Sequence, residues 1–267
     1  MNQETEGTSR PGNLPVGAGI LSRADGATIA YRRLDGKKPG VVFFHGYHSD
    51  MSGGKALALE ALCRDNGYAF VRFDSFGHGE SSGDVARGTI GRWVEDAVTV
   101  IDDLTEGKLV LVGSSLGGWV ALLAALERRE RVAGLVGIAA APDCTEDLMW
   151  QKFSFEQRRT LMETGTLALD NCYEPDKPWH IHRALIEEGR NHLLMRDIIQ
   201  LHCPVRLIHG QQDEDVPWQT ALQLADSLAS SDVEVSLVKG GGHRLSRDQD
   251  LDLLCRTVHA LLRQVTA

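Results

Sequence analysis

A chain of 267 residues, 42% hydrophobic and 24% charged, is long enough for one large domain and has an ordinary globular composition, which excludes fibrous and disordered classes. A formal net charge of −9 gains nothing from counterion release on a phosphate backbone, so no nucleic-acid partner is expected. No apolar run approaches the roughly 20 residues that cross a bilayer, so no membrane span is expected.

Residues 1–19 are polar and then punctuated by Gly and Pro, and they read as a flexible N-terminal arm. They lack the basic and apolar regions of a secretory signal, and Glu4 and Glu6 beside a lone Arg10 fit a transit peptide poorly. The five cysteines (Cys63, Cys144, Cys172, Cys203, Cys255) are odd in number, with no C-x-x-C pair. Neither a disulfide framework nor a zinc ribbon follows, and a reducing cytoplasm is the expected compartment.

From Asp25-Gly26 onward the elements follow one another closely. That dipeptide marks a tight turn, and residues 26–34 after it read as an antiparallel hairpin strand. Residues 41–44, Val-Val-Phe-Phe, form a continuous apolar run that suits a strand buried on both faces. Residues 69–73, 109–112, 132–138 and 205–208 read in the same way, and 233–238 is strand-like. Helical patterns fall between them at 53–66, 90–104, 116–127 and 217–229, with a closing helix at 251–262. Such alternation predicts an α/β fold with a mostly parallel eight-stranded sheet flanked by helices. It stops at residues 143–200, where Met149, Trp150, Phe153 and Phe155 lie among charges without a strand-like run. That stretch reads as a helical cap inserted between core segments 20–142 and 201–267.

Within this frame Gly113-Ser114-Ser115-Leu116-Gly117 matches G-x-S-x-G, with a strand leading in and a helix leading out. The motif makes Ser115 the expected nucleophile, presented at a strained turn over the positive end of a helix dipole. A serine hydroxyl needs a base. Order along the chain eliminates His45, His48 and His78, which precede the serine; His180, His182 and His192 fall in the insertion. His202 and His209 border a strand and His259 lies in the last helix, which leaves His243 after Gly240-Gly241-Gly242. The acid that orients the base is expected just past the preceding strand, and Asp213 is favoured there over Glu214 and Asp215. Two backbone N–H groups should await the oxyanion, and Tyr47 and Leu116 are placed to supply them. Tyr47, Trp150 and Phe153 are the expected wall of an apolar substrate pocket. His78, in the Gly- and Ser-rich turn at 74–83, is read as a structural hydrogen-bonding group. No cofactor is called for, and His180, His182 and His192 lack an acidic or thiolate partner at metal-ligand spacing.

These residues resemble the α/β-hydrolase superfamily from about Gly26 to Leu262. The strings at 113–119 (G-S-S-L-G-G-W), 203–210 (C-P-V-R-L-I-H-G) and 216–219 (V-P-W-Q), with His243-Arg244, Gly46-Tyr47 and the 51–62 region, look like one branch of it. That branch is the mitochondrial palmitoyl-protein thioesterases, also described as acyl-glucuronide esterases. The resemblance implies a Ser115–Asp213–His243 triad hydrolysing thioesters or carboxylic esters of small or acylated substrates. The insertion matches far less well than the rest. Haloalkane dehalogenases and epoxide hydrolases share the fold but use an aspartate where this chain has Ser115. Carbon–carbon bond hydrolases and cofactor-free haloperoxidases keep the serine and stay open as alternatives. Non-catalytic binding proteins of this fold usually lack a triad member, and none is missing here.

Overall fold

The computed structural model of the chain describes residues 16–170, 176 and 178–266. In chain order its first strands are β1 (Gly17–Ser22), β2 (Thr28–Leu34), β3 (Lys37–Phe44), β4 (Tyr68–Phe73), β5 (Leu109–Ser114) and β6 (Val132–Ile138). A short pair follows, β7 (Thr166–Leu169) and β8 (Trp179–His182), and then β9 (Val205–Gly210) and β10 (Val233–Val238). Eight of them form one sheet in the order β1-β2-β4-β3-β5-β6-β9-β10. The β1–β2 and β2–β4 pairs are antiparallel, and the remaining neighbours are parallel.

The apolar runs of the central strands have a simple cause. Val41, Phe43, Val110, Val112, Val136 and Ile138 belong to one buried cluster, with side chains from α1 (Gly54–Asn66) and, at the other end of the chain, from the C-terminal helix (Asp248–Thr266). Val42, Phe44, Leu109, Leu111 and Leu135 belong to a second cluster, with side chains from α2 (Ile90–Leu104) and α3 (Leu116–Glu127). Successive side chains point to opposite faces, and both faces are covered, so no polar position is left along the strand. Nine of the twelve residues of α3 are buried, so this helix is apolar all round and forms part of the interior. By contrast α2 is strongly amphipathic, and Thr89 caps it by accepting from the Arg92 N–H.

After β3 the chain moves to β4 on one side and later to β5 on the other, so the strand order reverses there. The crevice beyond the carboxyl ends of β3 and β5 is where such sheets hold ligands.

The insertion runs between β6 and β9. It contains a π-helical turn at Thr145–Met149, α4 (Phe155–Thr164), the antiparallel β7–β8 pair, and α5 (Arg183–Gly189). A capping box between Ser154 and Gln157 starts α4, and Gly165 ends it at φ 82°. Phe153, Leu161, Leu167, Ile181 and Ile186 make its own small core. Asp143 joins the two ends: its buried carboxylate accepts the Leu194 N–H at 2.7 Å and the Met195 N–H at 2.9 Å. Beyond the insertion come α6 (Gln219–Ser227) and the C-terminal helix, α7 (Asp248–Thr266).

Three expectations differ from the fold. Gly17–Gly19 are not arm but the start of β1, and the rest of the arm through residue 15 lies outside the described residues. The insertion contains the β7–β8 pair in addition to helices. The closing helix extends to Asp248–Thr266, longer than the apolar pattern suggested, because its outer face is polar. Among the described residues no helix is long and apolar enough to cross a membrane.

Candidate active site

The turn from β5 into α3 is built from glycines that nothing larger can replace. A Cβ on Gly113 would lie 2.4 Å from the Gly117 carbonyl oxygen. One on Gly117 would lie 2.3 Å from the His45 carbonyl oxygen and 2.4 Å from that of Phe44. Between them Ser115 sits at φ 54° and ψ −124°, a conformation that costs a residue with a side chain about 1–3 kcal/mol. The surroundings hold it there. The Ser115 N–H donates to the Ile138 oxygen at 2.9 Å, and the Ser115 carbonyl accepts from Gly118 at 2.8 Å and Ala141 at 3.1 Å.

Three side chains predicted from the sequence meet at this turn. His243 Nε2 lies 3.0 Å from Ser115 Oγ, and His243 Nδ1 lies 2.8 Å from Asp213 Oδ2. With the ring proton on Nδ1, donated to the carboxylate, Nε2 is free to accept the serine hydroxyl proton. The Asp213 side chain is buried, and its Oδ1 accepts the N–H groups of Asp215 at 3.0 Å and Val216 at 2.8 Å. Burial alone would push this carboxyl up, but hydrogen bonds from His209, His243 and the Val216 amide outweigh it and hold the group well below the usual carboxylate range. Asp215, the competing acid, contributes its N–H to Asp213. Side-chain donor atoms of Asp213, Asp215 and His243 lie within 4.8 Å of one another, which is metal-ligand spacing. Both Asp213 oxygens are already occupied by N–H donors and His243 Nε2 faces the serine, so the arrangement suits proton transfer.

The loop after β3 passes directly over the serine: a Cβ on Gly46 would meet Ser115 Cβ at 3.3 Å. The Tyr47 N–H, expected to bind an oxyanion, lies on this loop, and the Leu116 N–H is in the first turn of α3, where a helix leaves its N–H groups without intrahelical partners. Two buried histidines fasten this loop to the turn after β4. His45 Nε2 accepts the Ser75 N–H at 3.1 Å, and His78 Nε2 accepts the His48 N–H at 3.3 Å. Burial, followed by the neighbouring His45 ring, holds the His78 imidazole down to about 3, and burial lowers His45 as well. Both rings are therefore neutral acceptors, and His78 has the structural role its position suggested.

Sequence reasoning missed two contacts at this site. Lys55, at the start of α1, donates to the Arg244 carbonyl at 2.5 Å and so ties down the loop that carries His243. Burial and the Arg244 charge lower this ammonium to about 8. His209, set aside because it ends a strand, lies against Asp213. Its signal was the i, i+4 spacing to the acid.

The three residues expected to wall the pocket all touch the core of the insertion. Tyr47 packs against both this core and the main one, and its hydroxyl donates to the His180 carbonyl at 3.4 Å. Phe153 is only 8% exposed within the insertion's cluster, and the guanidinium groups of Arg158 and Arg190 lie over the Trp150 ring at 5.2 and 4.9 Å. A cavity of about 380 Å³ opens at the opposite end of the sheet, beside Arg33, Lys38 and Leu109, remote from all of these groups.

A family model described as Alpha/beta hydrolase family matches residues 41–257. The palmitoyl-protein thioesterase ABHD10, mitochondrial, of Mus musculus is 42% identical over 247 residues, covering 92% of this chain and 83% of that protein. The solved structure of alpha/beta hydrolase domain-containing protein 10 from mouse matches with a TM-score of 0.88 at 41% identity, covering 93% of this chain and 99% of that one. A putative hydrolase from Agrobacterium vitis S4 matches with a TM-score of 0.88 at 38% identity, covering 94% and 99%. The mouse relative is named as mitochondrial, and this overturns the expectation of a cytoplasmic protein. Cysteine count and spacing do not distinguish one reducing compartment from another.

Proposed function

The chain belongs to the alpha/beta hydrolase family, and from that premise we propose that it is a serine hydrolase that cleaves thioesters and carboxylic esters of acyl groups through an acyl-enzyme on Ser115. The observation that carries this reading is the continuous hydrogen-bonded line from Ser115 Oγ through His243 to Asp213, at 3.0 and 2.8 Å, beginning at a strained backbone. Ser115 Oγ attacks the acyl carbonyl while His243 Nε2 takes its proton. The oxyanion that forms is held by the N–H groups of Tyr47 and Leu116, and the positive end of α3 adds to that field. His243 then returns the proton to the departing thiolate or alkoxide, and Asp213 keeps the imidazolium oriented throughout. Water enters by the reverse of these steps, releasing the acid and restoring Ser115. The fatty-acyl chain would lie under the insertion, where Tyr47 faces the apolar cluster of Phe153, Leu161 and Ile181. The name of the mouse relative points to palmitoyl thioesters as the first substrates to try.

Covalent labelling by a fluorophosphonate, followed by thioester and ester series of increasing acyl length, tests the reading. Wild-type protein should label and turn over. Ser115→Ala should not label and should lose about 10⁴-fold or more in kcat while remaining folded. Labelling of Ser115→Ala at the wild-type rate would remove the assignment.

A further inference from the structure

Asp213 Oδ2 has two histidine ring nitrogens within 3.2 Å, and only one of those rings faces Ser115. The other, His209, is 1% exposed near the end of β9. Its Nε2 lies 3.2 Å from Asp213 Oδ2, the oxygen that also accepts from His243, and 3.0 Å from the Val216 carbonyl oxygen. Both of these neighbours accept hydrogen bonds, so the proton must reside on Nε2. His209 Nδ1 is buried and has no partner among the described residues. A proton on Nδ1 would leave an unpaired N–H buried, so the surroundings favour the Nε2–H tautomer. An orphaned ring nitrogen costs free energy that an apolar side chain of similar size would avoid. Packing alone therefore does not account for a histidine here.

We propose that His209 is a positioning residue for the hydrolysis, acting through Asp213; the inference rests on the reading of Ser115, His243 and Asp213 as the reacting set. The carboxylate is gripped at both oxygens. The Asp215 and Val216 amides hold Oδ1, and the His209 Nε2–H, shared with the Val216 carbonyl, lies 3.2 Å from Oδ2. Without that second grip the carboxylate could turn about its terminal bond and leave the line of the His243 Nδ1–H. It would do so at the moment the imidazole becomes charged and alignment matters most. As a nearby N–H donor, His209 supports the negative charge on Asp213.

Three substitutions at this position test the role. His209→Leu removes the donor and the orphaned nitrogen together. On a short aryl ester, kcat and kcat/KM should fall equally, about 10- to 100-fold, the size of one lost hydrogen bond to a charged group. Tm should hold or rise, and the far-downfield proton resonance of the His243–Asp213 hydrogen bond should shift or broaden. His209→Gln, whose amide nitrogen falls where Nε2 was, should recover most of the rate. If the leucine variant does not fold, His209→Asn serves instead, because its shorter amide falls at the Nδ1 position and does not reach Asp213. A folded Leu or Asn variant with wild-type kcat overturns the proposal. So does equal impairment of Leu and Gln variants with rate falling in step with Tm. Ser115→Ala separates the two levels. If it stays active, the reacting set itself is misread; if it is inactive while His209→Leu matches wild type, only the role of His209 falls.

Discussion

The elbow over the sheet and the insertion above it are held by different means. At the elbow, backbone meets backbone. Gly117 passes within a Cβ's reach of two carbonyl oxygens, Ser115 is forced to positive φ, and three main-chain hydrogen bonds fix it. In the insertion, five buried side chains and a pair of four-residue strands form a core that could not stand alone. Atoms that must be placed to a fraction of an ångström sit where the main chain defines their position. The part that meets the variable end of a substrate is shaped by side chains, which can be exchanged without disturbing the serine.

Asp213→Asn should produce the largest effect expected of either region. The amide would favour the wrong histidine tautomer, so kcat should fall roughly 10⁴-fold with little change in KM, whatever the acyl length. Asp215→Asn should cost less than tenfold, and the opposite ranking in steady-state kinetics would move the acid two residues along. Phe153→Ala addresses the other region. Emptying its place in the insertion's core should cost about 3–5 kcal/mol there. Long acyl thioesters should lose kcat/KM while short esters are spared, because remote binding energy is what disappears. Equal losses along a chain-length series would mean that insertion and elbow are mechanically one unit. Gly117→Ala should lower the denaturant midpoint at least as far as Phe153→Ala, because its Cβ would press on two backbone carbonyl oxygens at 2.3 and 2.4 Å, and it should slow short and long substrates alike.

The mildest effect comes from pH. His78 titrates at about 3 in the fold and at 6.5 unperturbed, and His45 is lowered in the same direction. The unfolded chain therefore binds protons that the folded turn refuses. The stability contribution is complete above about pH 6.5 and is lost as pH falls toward 3. Tm should drop between pH 6.5 and 4.5 by the equivalent of roughly 1–3 kcal/mol. His78→Gln, which keeps an acceptor for the His48 N–H, should flatten that slope; an unchanged slope would place the sensitive group elsewhere.

The same division separates what could be read in the residues from what could not. Val41 to Phe44 and Leu109 to Val112 announced themselves because burial on both faces leaves no polar position along the strand. The Gly113–Gly117 string was legible because sterics allow little else at such a turn. β1 was hidden, since two of its six residues are glycine and its exposed Ile20 adds no alternation; pairing with β2, not propensity, makes it a strand. The β7–β8 pair was hidden because four-residue strands carry too few positions to display a period. His209 was set aside because it ends a strand, a test that selects a base for the serine and is silent on what lies beside the acid.

The buried carboxylate of Asp143 has a consequence for how such a molecule diversifies. It ties residue 143 to residues 194 and 195, so the insertion leaves the core and returns to it at one point. Closing a longer or shorter loop at a fixed gate changes its entropic cost only logarithmically, about 0.6 kcal/mol for each doubling of length. A lineage can therefore replace the whole segment with one of different size and keep the gate, the sheet and the serine as they are. Asp143 is the seam along which one catalyst could be re-tailored to many substrates.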